Sequence, residues 1–424
     1  MQKSVFILFS LLIVCVSCKK NGDGIGPSIS LIAPTEGLTI SLPDTLQVIA
    51  EISDNISVKS VRLSIVDQEN ISAGPVAVFT YSQPQVALNV EFIIDDLDME
   101  TGAYQLQVAA SDGENETKTY VPLNLIEVPR VVTGGMYSSG IGAQTSFQYE
   151  MITGEGGVIS AMGSSGVFAY SSRLSRAFFS QENDRVLVAY AYGSDWNFIW
   201  ERELMNLSEG LSIEQIQYDP SRKEVIVNTG PGDIYIYSWN GTFNGNIDVN
   251  VNEICQDIQV DADELWLALK KSNGQNSVVQ VFRDSGSRGT ELPLNFTPVL
   301  IESYSENRLV LAMDNGDIKI INTQTAAETP VDIPGDAEAL EMKVYNGEVF
   351  IMKAEQLFRV TSNYQVQSIY SGLNMRSLEI DEVNGRVFIV DGADLKVFNL
   401  FPWTLLNTES LQPEVMHYSI LYNK

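Results

Sequence analysis

The chain has 424 residues, of which 54 are acidic, 26 are basic and 44% are hydrophobic, and its formal net charge at pH 7 is −28. A surface with this excess of carboxylates repels phosphate, so we expect no nucleic-acid partner. The three cysteines and one histidine are too few for a disulfide framework, a thiolate zinc site or most histidine-based catalytic triads.

The first segment has the organisation of an export signal. Lys3 gives it a positive start, and the following run from Val5 to Val16 is almost wholly apolar. This run is too short to cross a hydrocarbon layer of about 30 Å as a helix, and its length suits the apolar region of a signal peptide.

The segment ends in Val16-Ser17-Cys18, which resembles the lipobox of bacterial lipoproteins, with Cys15 where that motif usually carries an aliphatic residue. The resemblance implies that residues 1–17 are a lipoprotein signal peptide and that Cys18 is lipidated, with a linker up to residue 26. It also implies an anchor in a membrane of the cell envelope, and we expect the outer membrane, on its periplasmic or surface face. The alternative is an ordinary cleaved signal peptide that leaves Cys18 as a thiol.

Residues 27–128 are predicted to form a β-sandwich of about seven short strands. Apolar and polar residues alternate in five stretches, separated by turn formers such as Asp54-Asn55 and Asp112-Gly113, with no helical period. The stretches are Ile29–Ile32, Leu46–Ile49, Val61–Ile65, Val90–Ile93 and Tyr104–Val108.

This segment resembles the bacterial Ig-like modules that follow lipobox segments in many envelope proteins. The resemblance is carried by Ser28–Gly37, Ala50–Asn55, Val58–Val61 and Thr101–Gly113. It implies a spacer or a binding stalk. Asp54 and Asp112 are candidate calcium ligands by the same resemblance, but turn formation is the favoured role for both.

Residues 129–424 contain a repeat in which a charged residue precedes an apolar triplet. The units begin at Arg185, Glu224, Glu264, Arg308, Glu348 and Arg386, at successive offsets of 39, 40, 44, 40 and 38 residues. An alternating strand follows at the same place in several units, as in Gly232–Tyr237, Gly316–Asn322 and Asp394–Asn399. Units of about 40 residues with this pattern predict the four-stranded blades of a β-propeller.

The ends of this segment supply strands for one more blade. Val415–Leu421 follows the sixth unit, and residues 131–171 hold extra strands, so a closing blade shared by both ends predicts seven blades, with six as the alternative. His417 then lies on the innermost strand of the closing blade, where we expect a structural role. The repeat resembles the WD40-like, quinoprotein-like and YVTN-like propellers at the level of fold, which does not fix function.

Two groups of residues are candidates for chemistry on the propeller. Asp219, Asp261 and Asp381 follow the inner strand of three blades and are candidate cation ligands at the channel mouth, although turn formation is favoured. Tyr190, Tyr192, Trp196, Phe198 and Trp200 suit sugar stacking, but the period-two spacing of the last three predicts one buried face. Trp239 in a blade turn is predicted to be exposed, and Cys255 to be a buried thiol.

Together these features predict an all-β, lipid-anchored envelope protein in which an Ig-like stalk presents a propeller. We expect non-catalytic binding or scaffolding of a protein or a glycan by the propeller face, with no cofactor and with calcium as the one open candidate. The alternative is a carbohydrate-active or lactone-acting enzyme that uses carboxylates around the central channel.

Overall fold

A computed structural model describes residues 24–96, 99–141, 144–162, 167–181, 185–192, 196–204, 212–411 and 415–423. These described residues form β-strands, turns and irregular segments, with no helix among them. They separate into two compact units, the first of which ends at Pro129 and the second of which begins at Arg130. The predicted signal peptide, Cys15 and Cys18 lie outside the described residues.

The first unit contains one β-sheet of six strands. They are β1 (Ser28–Ala33), β2 (Leu38–Ser41), β3 (Asp44–Val66), β4 (Ser72–Ile94), β5 (Gly102–Ser111) and β6 (Glu116–Ile126). β3 pairs antiparallel with β1, β4 and β5, β6 pairs with β5, and β2 lies parallel to β6. Alternate residues such as Ile65, Val108 and Leu123 enter a single buried apolar cluster.

β3 and β4 each run for 23 residues and are therefore longer than the short strands that the sequence predicts. The antiparallel pairing of β3 with β4 is interrupted between Ser53 and Val58 and continues after Val58. Within this gap Asp54 Oδ1 accepts hydrogen bonds from the backbone N–H groups of Ile56 at 2.8 Å and Ser57 at 2.6 Å. Because the side chain satisfies N–H groups that the ladder releases, the predicted turn is a bulge in a continuing strand.

Asp112 closes the turn between β5 and β6. Its Oδ1 accepts from the backbone N–H groups of Glu114 and Asn115, both at 2.6 Å, and its Oδ2 accepts from Asn115 Nδ2 at 2.9 Å. These bonds hold the pKa of Asp112 below its ordinary value. The structure thus places Asp112 in the turn-forming role that the sequence analysis favours, whereas Asp54 stabilises a bulge within β3.

The second unit contains seven four-stranded antiparallel sheets within its described residues, and we call them blades 1 to 7. Blade 1 consists of β10 (Phe168–Ser171), β11 (Arg176–Gln181), β12 (Val186–Tyr192) and β13 (Trp196–Glu203). Blade 2 consists of β14 (Gln215–Asp219), β15 (Glu224–Asn228), β16 (Ile234–Ser238) and β17 (Phe243–Ile247). Blade 3 consists of β18 (Glu253–Val260), β19 (Glu264–Lys271), β20 (Ser277–Phe282) and β21 (Arg288–Pro293).

Blades 4 to 6 continue in chain order, and blade 7 joins strands from both ends of the unit. Blade 4 consists of β22 (Pro298–Ser305), β23 (Arg308–Met313), β24 (Ile318–Asn322) and β25 (Glu328–Val331). Blade 5 consists of β26 (Glu341–Tyr345), β27 (Glu348–Met352), β28 (Gln356–Val360) and β29 (Val366–Ser371). Blade 6 consists of β30 (Met375–Asp381), β31 (Arg386–Asp391), β32 (Asp394–Asn399) and β33 (Thr404–Ser410). Blade 7 consists of β34 (Val415–Tyr422), β7 (Val132–Ile141), β8 (Gln144–Met151) and β9 (Gly156–Met162).

The innermost strands form a closed ring. β10 adjoins β14, β18 adjoins β22, β22 adjoins β26, β26 adjoins β30, and β34 adjoins both β30 and β10. β14 is joined to β18 by a hydrogen bond from Gln217 Nε2 to the backbone oxygen of Ile258 at 2.7 Å. The antiparallel pairing of β34 with β7 closes the ring, since it joins the two ends of the unit in one blade. This architecture is a β-propeller, as the repeat predicts.

The apolar triplets of the units that begin at Glu224, Glu264, Arg308, Glu348 and Arg386 lie on the second strands of blades 2 to 6 and pack between blades. The prediction that an equivalent unit begins at Arg185 is wrong, because that triplet lies on β12, the third strand of blade 1. One buried cluster combines Ile226 and Ile236 of blade 2 with Ile258 and Leu267 of blade 3. Both faces of the second strand of a blade are therefore covered, and this is why the repeat shows a continuous apolar run there instead of alternation.

Candidate functional site

The innermost strands of all seven blades line one central cavity of about 490 Å³. This volume lies within the range of about 300–1,000 Å³ that is typical of ligand sites. The wall is mostly polar, and its hydrogen-bonding side chains include Gln215, Gln217, Gln256, Asp257, Glu302, Glu341, Lys343, Arg376, Glu379, His417 and Ser419.

A recurrent register places a polar side chain of the innermost strand against the next blade. The residues that share this register are Gln215, Asp257, Glu341 and Ser377, and each pairs with the residue four positions after the charged residue of its repeat unit. Equivalent places in the repeat therefore serve one purpose, which is contact with the neighbouring blade.

Three of these side chains accept a hydrogen bond from a backbone N–H group of the adjoining innermost strand, whereas Gln215 Nε2 donates to Asp257 Oδ1 at 2.5 Å. Ile301 N–H donates to Asp257 Oδ2 at 2.8 Å, and Tyr418 N–H donates to Ser377 Oγ at 3.1 Å. Leu378 N–H donates to Glu341 Oε2 in the same way. These bonds satisfy N–H groups at the inner strand edges and so fix the wall of the central cavity.

Lys343 is a cation among four carboxyl side chains. Glu379, Glu302, Glu341 and Asp257 attract its ammonium group and raise the pKa of Lys343, and Glu379 has the largest effect. Within the described part of the chain, no group hydrogen-bonds to the ammonium or pairs with it within 4.0 Å. The positive charge of Lys343 is thus balanced by carboxyl groups to which it makes no hydrogen bond, and the N–H groups of the ammonium face the cavity.

Burial raises the pKa of the carboxyl groups around Lys343. The pKa is raised to about 6 for Asp257, to about 7 for Glu302 and to about 8 for Glu341, and that of Glu379 is also raised. Lys343 opposes the rise at each of them. Near neutral pH the carboxyl groups of Glu302 and Glu341 are therefore partly protonated, so the cavity wall can both donate and accept hydrogen bonds.

His417 lies on the innermost strand of blade 7, where the sequence predicts it. Its side chain is 43% exposed, and its Nδ1 lies 4.0 Å from Glu341 Oε1. The protein that surrounds the imidazole in the cavity reduces its hydration and so lowers the pKa of His417. The imidazole is therefore neutral near pH 7, and the positive charge of the cavity comes from Lys343 and Arg376. The histidine is therefore part of the cavity wall and not of an apolar core.

The three aspartates considered for the channel mouth do not line the central cavity. Asp219 and the backbone oxygen of Asp261 both accept hydrogen bonds from Arg283 Nη1, the latter at 3.0 Å. Asp381 is fully buried and accepts from Asn384 Nδ2 at 2.7 Å in the turn after β30. Asp219 also accepts from the backbone N–H of Ser221 at 2.8 Å, so Asp219 and Asp381 both stabilise turns, which is the role that the sequence analysis favours. In the described ranges, no three His, Cys, Asp or Glu side chains are grouped so that they could hold a metal ion.

The aromatic residues of β13 divide between two sides of blade 1. Trp196 packs with Phe147 in one buried cluster, Trp200 packs with Val225 in another, and Phe198 is 55% exposed. The prediction of a single buried face is therefore wrong, although burial is confirmed for both tryptophans. The cause is a register shift, since successive residues of β12 pair with Trp200 and Phe198 and leave one residue of β13 unpaired.

Two further predictions concern single residues. Trp239 is half-buried and not exposed, because the Arg176 guanidinium lies 4.1 Å from its ring centroid and Arg176 Nη1 donates to its backbone oxygen at 3.1 Å. Cys255 is 2% exposed, as predicted, and burial raises the pKa of its thiol.

The charged residues of the central cavity were not identified from the sequence. Glu302, Glu341, Lys343 and Glu379 lie five to seven residues before the charged residue of their repeat units. That spacing marks the innermost strand, but it varies because the turn before the second strand varies in length. A search for charged residues in this window of every unit would have found them.

The first unit contains a match to a known family. Residues 27–120 match the model of the bacterial Ig domain. Such a domain indicates an extracellular or envelope protein. Among the described residues, no helix offers the length and apolarity that crossing a membrane requires.

The propeller is similar to solved structures at low identity. They include a protein from Lactobacillus plantarum, with 14% identity and a TM-score of 0.53 over 69% of this chain and 100% of that one. A functionally unknown protein from Desulfotomaculum acetoxidans has 15% identity and a TM-score of 0.50 over 68% and 99% of the two chains. A putative 6-phosphogluconolactonase from Bacteroides fragilis has 10% identity and a TM-score of 0.50 over 68% and 98%. These similarities show the fold alone, and no curated protein matches the sequence.

Proposed function

We propose that this protein is a lipid-anchored binding protein of the cell envelope and that its propeller recognises a protein or a glycan at the central cavity and the surrounding face. Lipid attachment at Cys18 would hold it on the outer membrane, and the Ig domain would act as a stalk. The observation that supports the proposal is the central cavity of about 490 Å³, to which every blade contributes an innermost strand.

The chemistry of the wall favours a ligand rich in hydroxyl groups, such as a sugar ring of a glycan. Gln215, Gln217 and Gln256 offer amide groups, and partly protonated carboxyl groups such as that of Glu302 add both donors and acceptors. A hydroxyl group donates and accepts at once, so it suits a wall of this kind. Lys343 adds donors that no described residue occupies.

The alternative function is a carbohydrate-active or lactone-acting enzyme. The raised pKa values of Glu302 and Glu341 favour it, because a carboxyl group that remains protonated near neutral pH can act as a general acid. The similarity to a protein described as a putative 6-phosphogluconolactonase extends only to the fold.

The test is calorimetric titration of the full chain with a panel of oligosaccharides, followed by product analysis of the same mixtures. We expect binding without turnover, an affinity lower by about tenfold in Glu302→Gln and Lys343→Met, and no change in Glu306→Gln. Glu306 is an exposed carboxylate outside the cavity and is the matched control. Turnover that Glu302→Gln abolishes would establish the enzyme instead. Binding that neither cavity variant weakens would overturn the proposed site.

A further inference from the structure

A second cavity, the side pocket, lies between blades 6 and 7 and has a volume of about 390 Å³. Its floor is formed by five buried side chains, which are Phe388, Leu395 and Val397 of blade 6 and Tyr137 and Tyr418 of blade 7. The volume suffices for a small organic ligand, and a mostly apolar wall with few polar groups is typical of such sites.

Tyr418 places an unpaired hydroxyl group in the side pocket. The residue is 6% exposed, and its ring stacks on Phe388 with a centroid distance of 5.9 Å and an interplanar angle of 13°. A Cβ atom added to Gly135, which also lines the pocket, would lie 2.2 Å from the hydroxyl oxygen, so the hydroxyl lies against the glycine backbone. No residue in the described ranges hydrogen-bonds to this hydroxyl.

The hydroxyl of Tyr418 is a donor without an acceptor. Burial raises the pKa of Tyr418, so the phenol keeps its proton. The neighbouring Tyr137 differs, because its hydroxyl bonds to Gln148 Oε1 at 3.3 Å. Because the Tyr418 hydroxyl lines the side pocket, it is free to donate a hydrogen bond to a ligand that supplies an acceptor there.

The rim of the side pocket is also apolar in part. Ile152 is 72% exposed and Leu406 is 52% exposed, and both line the opening. Glu150, Glu409 and Arg386 lie at the same rim and bring charges of both signs. The net charge of a ligand is therefore a weak determinant here, and the apolar floor with its single donor is the selective feature.

We propose that the side pocket binds a compact, uncharged apolar molecule whose carbonyl oxygen accepts a hydrogen bond from the Tyr418 hydroxyl. The ring system of such a ligand would contact Phe388 and Val397. This site is separate from the central cavity and does not depend on the function proposed for it.

The test compares two probes of nearly equal shape, 2-acetylnaphthalene and 2-ethylnaphthalene, of which only the first has a carbonyl. Affinity for the full chain is measured by the change in naphthalene fluorescence. We expect the ketone to bind about fivefold more tightly than the hydrocarbon, and Tyr418→Phe to remove this difference. Tyr137→Phe is the matched control and should keep it, since the Tyr137 hydroxyl is already paired.

A second variant establishes where the probes bind. Val397→Phe enlarges a buried side chain of the floor and should weaken both probes, while circular dichroism reports whether the fold is retained. Three results would overturn the proposal: no binding of either probe, equal affinity of the two probes for the unmodified protein, or a ketone preference that survives Tyr418→Phe.

Discussion

The guanidinium group of Arg283 joins blade 3 to the carboxylate of Asp219 in blade 2. Arg283 Nη1 donates to Asp219 Oδ2, and Arg283 Nη2 donates to Glu224 Oε2 at 2.5 Å. The Arg283 side chain is 1% exposed, and those of Asp219 and Glu224 are 6% and 15% exposed. A charge so far removed from water depends on its partners, and each member of this group would be costly to leave alone.

Replacement of Arg283 should destabilise the propeller strongly. Arg283→Met leaves Asp219 and Glu224 without their buried cation, and we expect a loss of about 3–5 kcal/mol in the free energy of unfolding. Urea denaturation monitored by tryptophan fluorescence measures it. Arg222→Met is the control, because Arg222 pairs with Asp263 and Asp284, whose side chains are 91% and 84% exposed, and should cost less than about 1 kcal/mol. Equal losses of unfolding free energy in Arg283→Met and Arg222→Met would contradict the stabilising role that we give to the buried Arg283 guanidinium.

The strand pattern of the propeller could be predicted because its physical cause repeats. The second strands of blades 2 to 6 begin at Glu224, Glu264, Arg308, Glu348 and Arg386, which are the residues that open the repeat units in the sequence. Each of these five strands is covered on both faces, and the apolar run that marks it therefore recurs in blades 2 to 6.

The side chains of the cavity and the aromatic strand could not be predicted in the same way. Period-two spacing places Trp196 and Trp200 on one face only if the pairing is regular, and the unpaired residue between them reverses the face. Glu302 and Lys343 meet in the cavity although 41 residues separate them, because they hold the same register position on the adjoining innermost strands of blades 4 and 5. The bulge has no local signal, and the cavity residues can be found only once the innermost strands have been located.

The bulge in β13 predicts unequal effects of two substitutions. Trp200→Ala opens a cavity between blades 1 and 2, where the indole is 6% exposed, and should cost about 3–5 kcal/mol of unfolding free energy. Phe198→Ala removes a ring that is 55% exposed and should cost less than about 1 kcal/mol. Thermal denaturation of both variants is the measurement. Similar losses would restore the single buried face that the sequence suggests.

The proposed lipidation at Cys18 predicts a clear difference between Cys18 and Cys15. Cys18→Ser should abolish incorporation of radiolabelled palmitate and release the protein from the membrane fraction of an expressing bacterium. Cys15→Ser changes the same atom in the same segment and should leave both properties intact. Label retained in Cys18→Ser, or lost in Cys15→Ser, would contradict acylation at Cys18.

The raised pKa values in the central cavity predict a stability difference that depends on pH. A carboxyl group whose pKa is higher in the folded state binds more protons there than in the unfolded state, so its contribution to stability falls as pH rises. For Glu341 this decline extends from the ordinary pKa of 4.5 to about 8. Glu341→Gln removes the titration, and its amide oxygen can still accept from Leu378 N–H.

We therefore expect the melting temperature of Glu341→Gln to rise relative to that of the unmodified protein as the pH increases from about 5 to about 9. Differential scanning calorimetry at several pH values measures the difference between the two melting temperatures. The other carboxylates are present in both proteins, so their contributions cancel in this difference. Glu306→Gln, which removes an exposed carboxylate outside the cavity, is the control for the loss of one negative charge. A flat profile for Glu341→Gln would show that Lys343 keeps Glu341 ionised throughout, because attraction by the ammonium would then outweigh the burial of the carboxyl group.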